Sequence, residues 1–147
     1  MTGLADAVAL AADESGLAVV STVRADGTVQ ASLVNVGLIP HPASGEPALA
    51  FVTYGRVKLA NLRARPPIAV TFRRGWQWAT VEGVAELGGP EDPQSWLGDG
   101  DALRLLLRDV FTAAGGTHDD WDAYDRVMAE QGRTVVVVVP TRVYSNG

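Results

Sequence analysis

The stretch LAVVSTVRADGTVQASLVNVGLI, residues 17–39, decides the fold. Leu17 to Val23 is apolar and β-branched, and Ala25-Asp26-Gly27 is a strong turn. Val29, Ala31 and Leu33 then alternate with Thr28, Gln30 and Ser32. Period-two alternation on the far side of a turn glycine predicts a hairpin whose second arm runs from Thr28 to Ile39. The sheet therefore begins with an antiparallel pair.

Towards the N-terminus, Leu4, Val8, Ala11 and Ala12 recur at helical spacing behind Thr2 as a cap, so residues 3–13 read as a short amphipathic helix ended by Gly16. Towards the C-terminus, Pro40 to Pro47 is a loop and Ala48 to Tyr54 a third strand. Val57 to Arg65 carries Leu59, Ala60 and Leu62 at helical spacing and stops at Pro66-Pro67. Ile68 to Arg73 and Trp76 to Leu87 read as strands joined by Arg74-Gly75, and Pro90 to Gly100 is a break. Ala102 to Ala114 and Trp121 to Gln131 read as helices, the first ended by Gly115-Gly116 and the second opened by acids that suit the helix dipole. Thr134 to Val139 is a buried strand that Val143 extends past Pro140. Hairpin-joined strands with inserted helices predict a mainly β, α+β protein: an antiparallel barrel with peripheral helices in one domain, residues 1–147.

Composition narrows the function. A chain of 147 residues buries roughly 68–70% of its unfolded surface, enough for one core. Its 17 acidic against 12 basic residues give a net charge of −5, which argues against a nucleic-acid binder. There is no cysteine, and only His41 and His118 offer imidazole, so no metal site is expected. The first thirteen residues hold Asp6 and Asp13 and no base, unlike a secretory signal. No purely apolar run, Val135 to Val139 among them, approaches the roughly 18 residues that span a bilayer. The expectation is a cytoplasmic protein without membrane contact.

Chemistry concentrates in Thr53-Tyr54-Gly55-Arg56-Val57-Lys58, which sets a hydroxyl, a permissive glycine, two cations and a helix start within one short segment. Free amide groups and the dipole at a helix start favour an anion, Arg adds a fork and Lys a point charge. Phosphate is the natural guest; a solvated helix start is the plainer alternative. Cations at a helix N-terminus are mildly unfavourable, so Arg56 and Lys58, the latter the one lysine of the chain, want a reason. No GxxxxGK[ST] loop is present, which disfavours a nucleoside triphosphatase.

The run Arg56-x-Lys58-x-x-Asn61-Leu62-Arg63-x-x-Pro66 is followed by Gly75-Trp76, then Val81-Glu82-Gly83-Val84-Ala85, and later His118-Asp119-Asp120-Trp121-Asp122-Ala123-Tyr124. In order and spacing it resembles the pyridoxamine 5′-phosphate oxidase-like split β-barrel family, FMN-binding in type. More narrowly it resembles the flavin/deazaflavin branch that uses coenzyme F420. The resemblance implies a homodimer with cofactor at the subunit interface, and a cofactor phosphate held by Arg56, Lys58, the Val57 amide and the Thr53 hydroxyl. It also implies ring contacts from the second strand, where Ser32 and Asn35 either meet a pyrimidine edge or are outward-facing polar residues. Trp76 and Trp78 share a strand face and either cover the ring or serve as core or interface.

Trp96 and Trp121 read as packing residues, His118 as a helix cap, and His41 as a loop residue with no assigned chemistry. Asp99, Asp101, Asp119, Asp120 and Asp122 lack the spacing of a calcium loop. Arg73 and Arg74 lie at an exposed turn, where they either meet an acidic cofactor tail or are simply solvated. The resemblance implies an F420-dependent oxidoreductase passing a hydride to an unsaturated acceptor such as a quinone or enone. An FMN-dependent enzyme of the same fold and a non-catalytic cofactor carrier are the alternatives. Catalysis would reside in the cofactor, so no residue is assigned a catalytic role, although Tyr54 stands where a proton donor could.

Overall fold

The computed structural model describes residues 2–147. In chain order the elements are α1 (Leu4–Leu10), β1 (Leu17–Val23), β2 (Val29–Asn35), β3 (Gly37–Pro40), β4 (Pro47–Thr53), α2 (Arg56–Ala64), β5 (Pro67–Arg74), β6 (Gln77–Gly88), α3 (Gly100–Ala113), α4 (Trp121–Glu130) and β7 (Thr134–Ser145). All strand pairings are antiparallel in one sheet of order β2-β1-β5-β6-β7-β4-β3.

The long second hairpin arm expected over Thr28 to Ile39 is broken at Val36. Its two pieces, β2 and β3, are the two outer strands of the sheet. One buried residue therefore links opposite edges, which forces the twisted sheet to curl until those edges approach. Val36 is fully buried, and its amide donates to Gly16 O at 2.9 Å. No ladder joins β2 to β3, so the architecture is an antiparallel split barrel of α+β type with an open seam, not a closed barrel.

Other boundaries shift for local reasons. The first helix is shorter than residues 3–13: α1 ends at Leu10, a 3-10 turn covers Ala12–Glu14, and Ser15 and Gly16 leave it in the left-handed region at φ 55° and 71°. Trp96 lies in a turn before α3 and packs edge-on against His41. β7 continues through Pro140 because the register against β6 slips there: Glu82 opposes Arg142 while Gly83 opposes Pro140, leaving Thr141 as the extra residue of a bulge.

Val135–Val138 are buried because β7 has cores on both faces, whereas Val139, expected in the same buried run, is exposed. Val136 and Val138 join Val20, Phe51, Phe72 and Val81 inside the curl. Val135 and Val137 join Ala50, Val110 and Tyr124 beneath α3 and α4. Those helices are tied together by a bidentate Arg108–Asp125 pair and by Tyr124 Oη donating to Leu107 O at 3.0 Å. Their N-caps are Asp99 and Asp120, each accepting an amide of the first turn, while His118 Nδ1 accepts the Asp120 amide. On the outer side of β2-β1-β5-β6-β7, Val29, Leu33, Val19, Val84, Val139 and Tyr144 are all exposed.

Candidate cofactor-binding cavity

The seam is where the chemistry gathers. A cavity of about 690 Å³ opens between the ends of β2 and β4, the start of α2 and the inner faces of α3 and α4. Leu33, Val52, Val110, Phe111, Tyr124 and Met128 make an apolar wall. Asn35, Thr53, Tyr54, Gly55, Lys58 and Arg133 make a polar one. Among the described residues, the two charged side chains on this lining, Lys58 and Arg133, are both cations.

Gly55 is the N-cap of α2 and brings no side chain to it; the first helical bond is Leu59 N to Gly55 O at 3.1 Å. The amides of Arg56, Val57 and Lys58 thus have no partner within the helix. Thr53 Oγ1 accepts the Gly55 amide at 3.2 Å, leaving its own proton to donate. Lys58 is 7% exposed and has no hydrogen bond or ion pair among the described residues. Its ammonium lies over the loop: a Cβ built on Gly55 would be 3.9 Å from Lys58 Nζ and 3.5 Å from Thr53 Oγ1. Burial pushes the Lys58 ammonium below the ordinary lysine pKa. A cation without a carboxylate partner, beside a hydroxyl and a helix start, is an arrangement whose chemistry suits an anion.

The expected residues divide. Asn35, Thr53 and Lys58 come together on the cavity. Arg56 does not, because residues two apart on a helix point to different sides; it is exposed and lines a separate groove of about 310 Å³ with Tyr54, Leu59 and Arg63. The Val57 side chain is exposed, although its amide remains at the helix start. Ser32 and Asn35 are three apart on a strand and so face opposite ways: Asn35 Nδ2 donates to Ser15 O at 3.0 Å, whereas Ser32 Oγ is buried with no partner and off the cavity. Trp76, 93% exposed, sits at the β5–β6 turn, and Trp78 packs edge-on to Tyr144. Neither lines the cavity of its own chain.

Sequence reasoning missed Arg133, Phe111, Tyr124 and Met128, which reach the site from α3, α4 and the turn into β7. Only Tyr124 stood within a stretch already singled out. Its hydroxyl is committed to Leu107 O, and burial raises its pKa, so it serves as wall and not as a proton donor. No group of three or more His, Asp or Glu that could hold a metal is present among the described residues.

An open antiparallel split barrel with a cavity lined by cations on one side and apolar side chains on the other matches the flavin-binding split-barrel plan. Residues 4–147 match the family described as Pyridoxamine 5′-phosphate oxidase, and the chain belongs to that family. Among solved structures it is similar to a conserved hypothetical protein of Mycobacterium tuberculosis (TM-score 0.68, 19% identity, covering 99% of this chain and 84% of that one). An F420 reductase aligns with TM-score 0.59 and 21% identity over 88% of this chain and 90% of that one. A pyridoxamine 5′-phosphate oxidase-related, FMN binding protein of Nostoc punctiforme aligns with TM-score 0.59 and 13% identity over 97% and 81%. At these identities the likeness is one of fold. No helix among the described residues is long and apolar enough to cross a membrane.

Proposed function

We propose that the cavity binds a phosphate-bearing deazaflavin, coenzyme F420, and that the protein is an oxidoreductase acting on an unsaturated small molecule. The observation that carries this reading is Lys58, a lysine whose stem is buried and whose ammonium meets the cavity without a carboxylate, in a chain of net charge −5. Lys58 Nζ, the Thr53 hydroxyl and the α2 amides hold the phosphate, and the Phe111–Met128 wall excludes water from one side of the ring. Asn35 Oδ1 stands ready to accept an N–H from a pyrimidine edge. When bound, the reduced ring supplies a hydride; the protein supplies position and a dry surface. FMN, with a similar ring plan and a phosphate-bearing arm, is the alternative cofactor.

The exposed apolar side of the sheet supports a homodimer in which a second copy covers Val29, Val19 and Leu33. Leu33 is 64% exposed on β2, opposite Val19 in the ladder. Leu33→Glu is expected to convert the dimer to monomer in sedimentation at micromolar concentration with little change in far-UV circular dichroism; an unchanged mass would place the interface elsewhere.

Turnover separates enzyme from carrier. Anaerobic mixing of the protein with reduced F420 and a panel of quinones and enones is expected to give protein-dependent reoxidation that saturates with one acceptor class. Reduced cofactor that binds and stays reduced with every acceptor would favour a non-catalytic carrier.

A further inference from the structure

Arg133 is the second cation on the cavity, and its surroundings leave one edge of it unused. The β4–β7 register pairs Thr53 with Thr134, which sets Arg133 across from Tyr54 at the mouth of the anion loop. Its guanidinium lies over the Tyr54 ring, 3.8 Å from the centroid, so one face is occupied. Nε donates to Gln131 Oε1 at 2.8 Å. Both terminal nitrogens, Nη1 and Nη2, have no hydrogen-bond or ion-pair partner among the described residues. Elsewhere in the chain Arg63, Arg104 and Arg108 each hold a carboxylate; Arg133 is half-buried and holds none. A guanidinium clamped by its face and its Nε presents the remaining pair of N–H groups as a fork, the arrangement that suits a phosphate oxygen pair.

We propose that Arg133 is a phosphate-reading residue of this cavity, oriented by Tyr54 and Gln131, and that with Lys58 it selects a ligand carrying a phosphate group on its side arm over the same ring without phosphate. The inference rests on the cofactor reading above and deepens it. Arg133 takes the part of second cation that the sequence suggests for Arg56, whose side chain faces the outer groove. Tyr54 is a positioning residue here: it acts through its ring, which holds the guanidinium flat.

The test compares two ligand pairs, FMN with riboflavin and F420 with its phosphate-free chromophore, on wild type, Arg133→Ala, Arg133→Lys, Tyr54→Phe and Tyr54→Ala, each checked for an unchanged melting profile. Losing a fork to a charged group should weaken the phosphate-bearing ligand about 10- to 100-fold in Arg133→Ala and leave the phosphate-free partner within about threefold. Arg133→Lys keeps charge without the fork and should fall between. Tyr54→Phe keeps the ring and the phosphate preference; Tyr54→Ala loses part of that preference. Equal weakening of both members of a pair by Arg133→Ala would make Arg133 part of the ring wall, and no weakening would make it a surface residue; either overturns the inference. If wild type binds none of the four, the cofactor reading fails, and inorganic phosphate then decides the inference. Phosphate-induced NMR shifts of the Arg133 Nε–H in wild type and of the Gly55 amide, the latter lost in Arg133→Ala, support it, and unshifted wild-type signals overturn it.

Discussion

Lys58→Met is expected to abolish binding of a phosphate-bearing cofactor, weakening it at least about 100-fold, while making the ligand-free protein more stable by about 1 kcal/mol. Both effects follow from one environment. The side chain is largely buried, its ammonium is partly desolvated and has no carboxylate, and it sits in the first turn of a helix whose dipole opposes it. Met has nearly the same length and fills the same space without charge, so removing the ion relieves a desolvation cost while deleting the phosphate's point charge. The pH dependence has a definite sign. Because the folded pKa of Lys58 is depressed, the unfolded chain binds more protons between that value and the ordinary one of roughly 10.4. Stability of the ligand-free protein therefore rises with pH through this window, and Lys58→Met flattens the rise. A bound phosphate favours the charged form, so affinity falls as pH climbs through the same window. Thermal melts against pH, with and without ligand, check all of this; a variant that melts lower and still binds would contradict it.

Gly16→Ala is expected to cost about 3 kcal/mol or more, enough to lower the urea midpoint severely. Gly16 has φ 71°, and a Cβ there would overlap the carbonyl oxygen of Val36. That oxygen belongs to backbone in the single-residue corner between β2 and β3, and the Val36 amide is bound to Gly16 O, so neither partner can withdraw cheaply. The corner places Ser15 and Asn35 on the cavity rim, and the variant should also lose cofactor affinity. Gly27→Ala is the control: φ is 87°, yet nothing lies within 4 Å of the added carbon, so the cost should be only about 1–2 kcal/mol. Equal midpoints for the two variants would show that the close approach at Val36 has no energetic weight.

The hairpins were legible because their signals are local. Ala25-Asp26-Gly27 between alternating strands, the Pro66-Pro67 stop after α2 and the glycine pair after α3 each act over a few residues. The break at Val36 was not, since nothing in Asn35-Val36-Gly37 differs from a strand; only the curl of the sheet, a property of all seven strands, bends the chain there. Gly37 carries a clue in hindsight: a Cβ on it would come within 2.7 Å of Ala113 Cβ, so α3 lies directly on this corner. At the site, Thr53 and Lys58 were legible because they sit in one short segment with a helix start. Arg56, two residues before Lys58, is turned to the outer groove by the helical rotation between them, which proximity in sequence does not reveal. Arg133 was invisible because only the β4–β7 register brings it to Tyr54. The aromatic wall came from α3 and α4, whose apolar stripes read as ordinary core. Trp78 lies opposite Arg73 on β6, three strands from the Asn35 end of β2, and Trp76 lies in the turn before it.

The occupant proposed for this cavity is a phosphate-bearing deazaflavin. The most direct measurement is a fluorescence titration of the wild-type protein with F420 and, separately, with FMN at moderate ionic strength. The account predicts saturable F420 binding, one per chain, in the micromolar range or tighter and at least about tenfold stronger than FMN, a difference of about 1.4 kcal/mol. Saturable binding of FMN in preference to F420 would contradict the deazaflavin assignment and leave the phosphate site standing; no saturable binding of either would contradict the site itself.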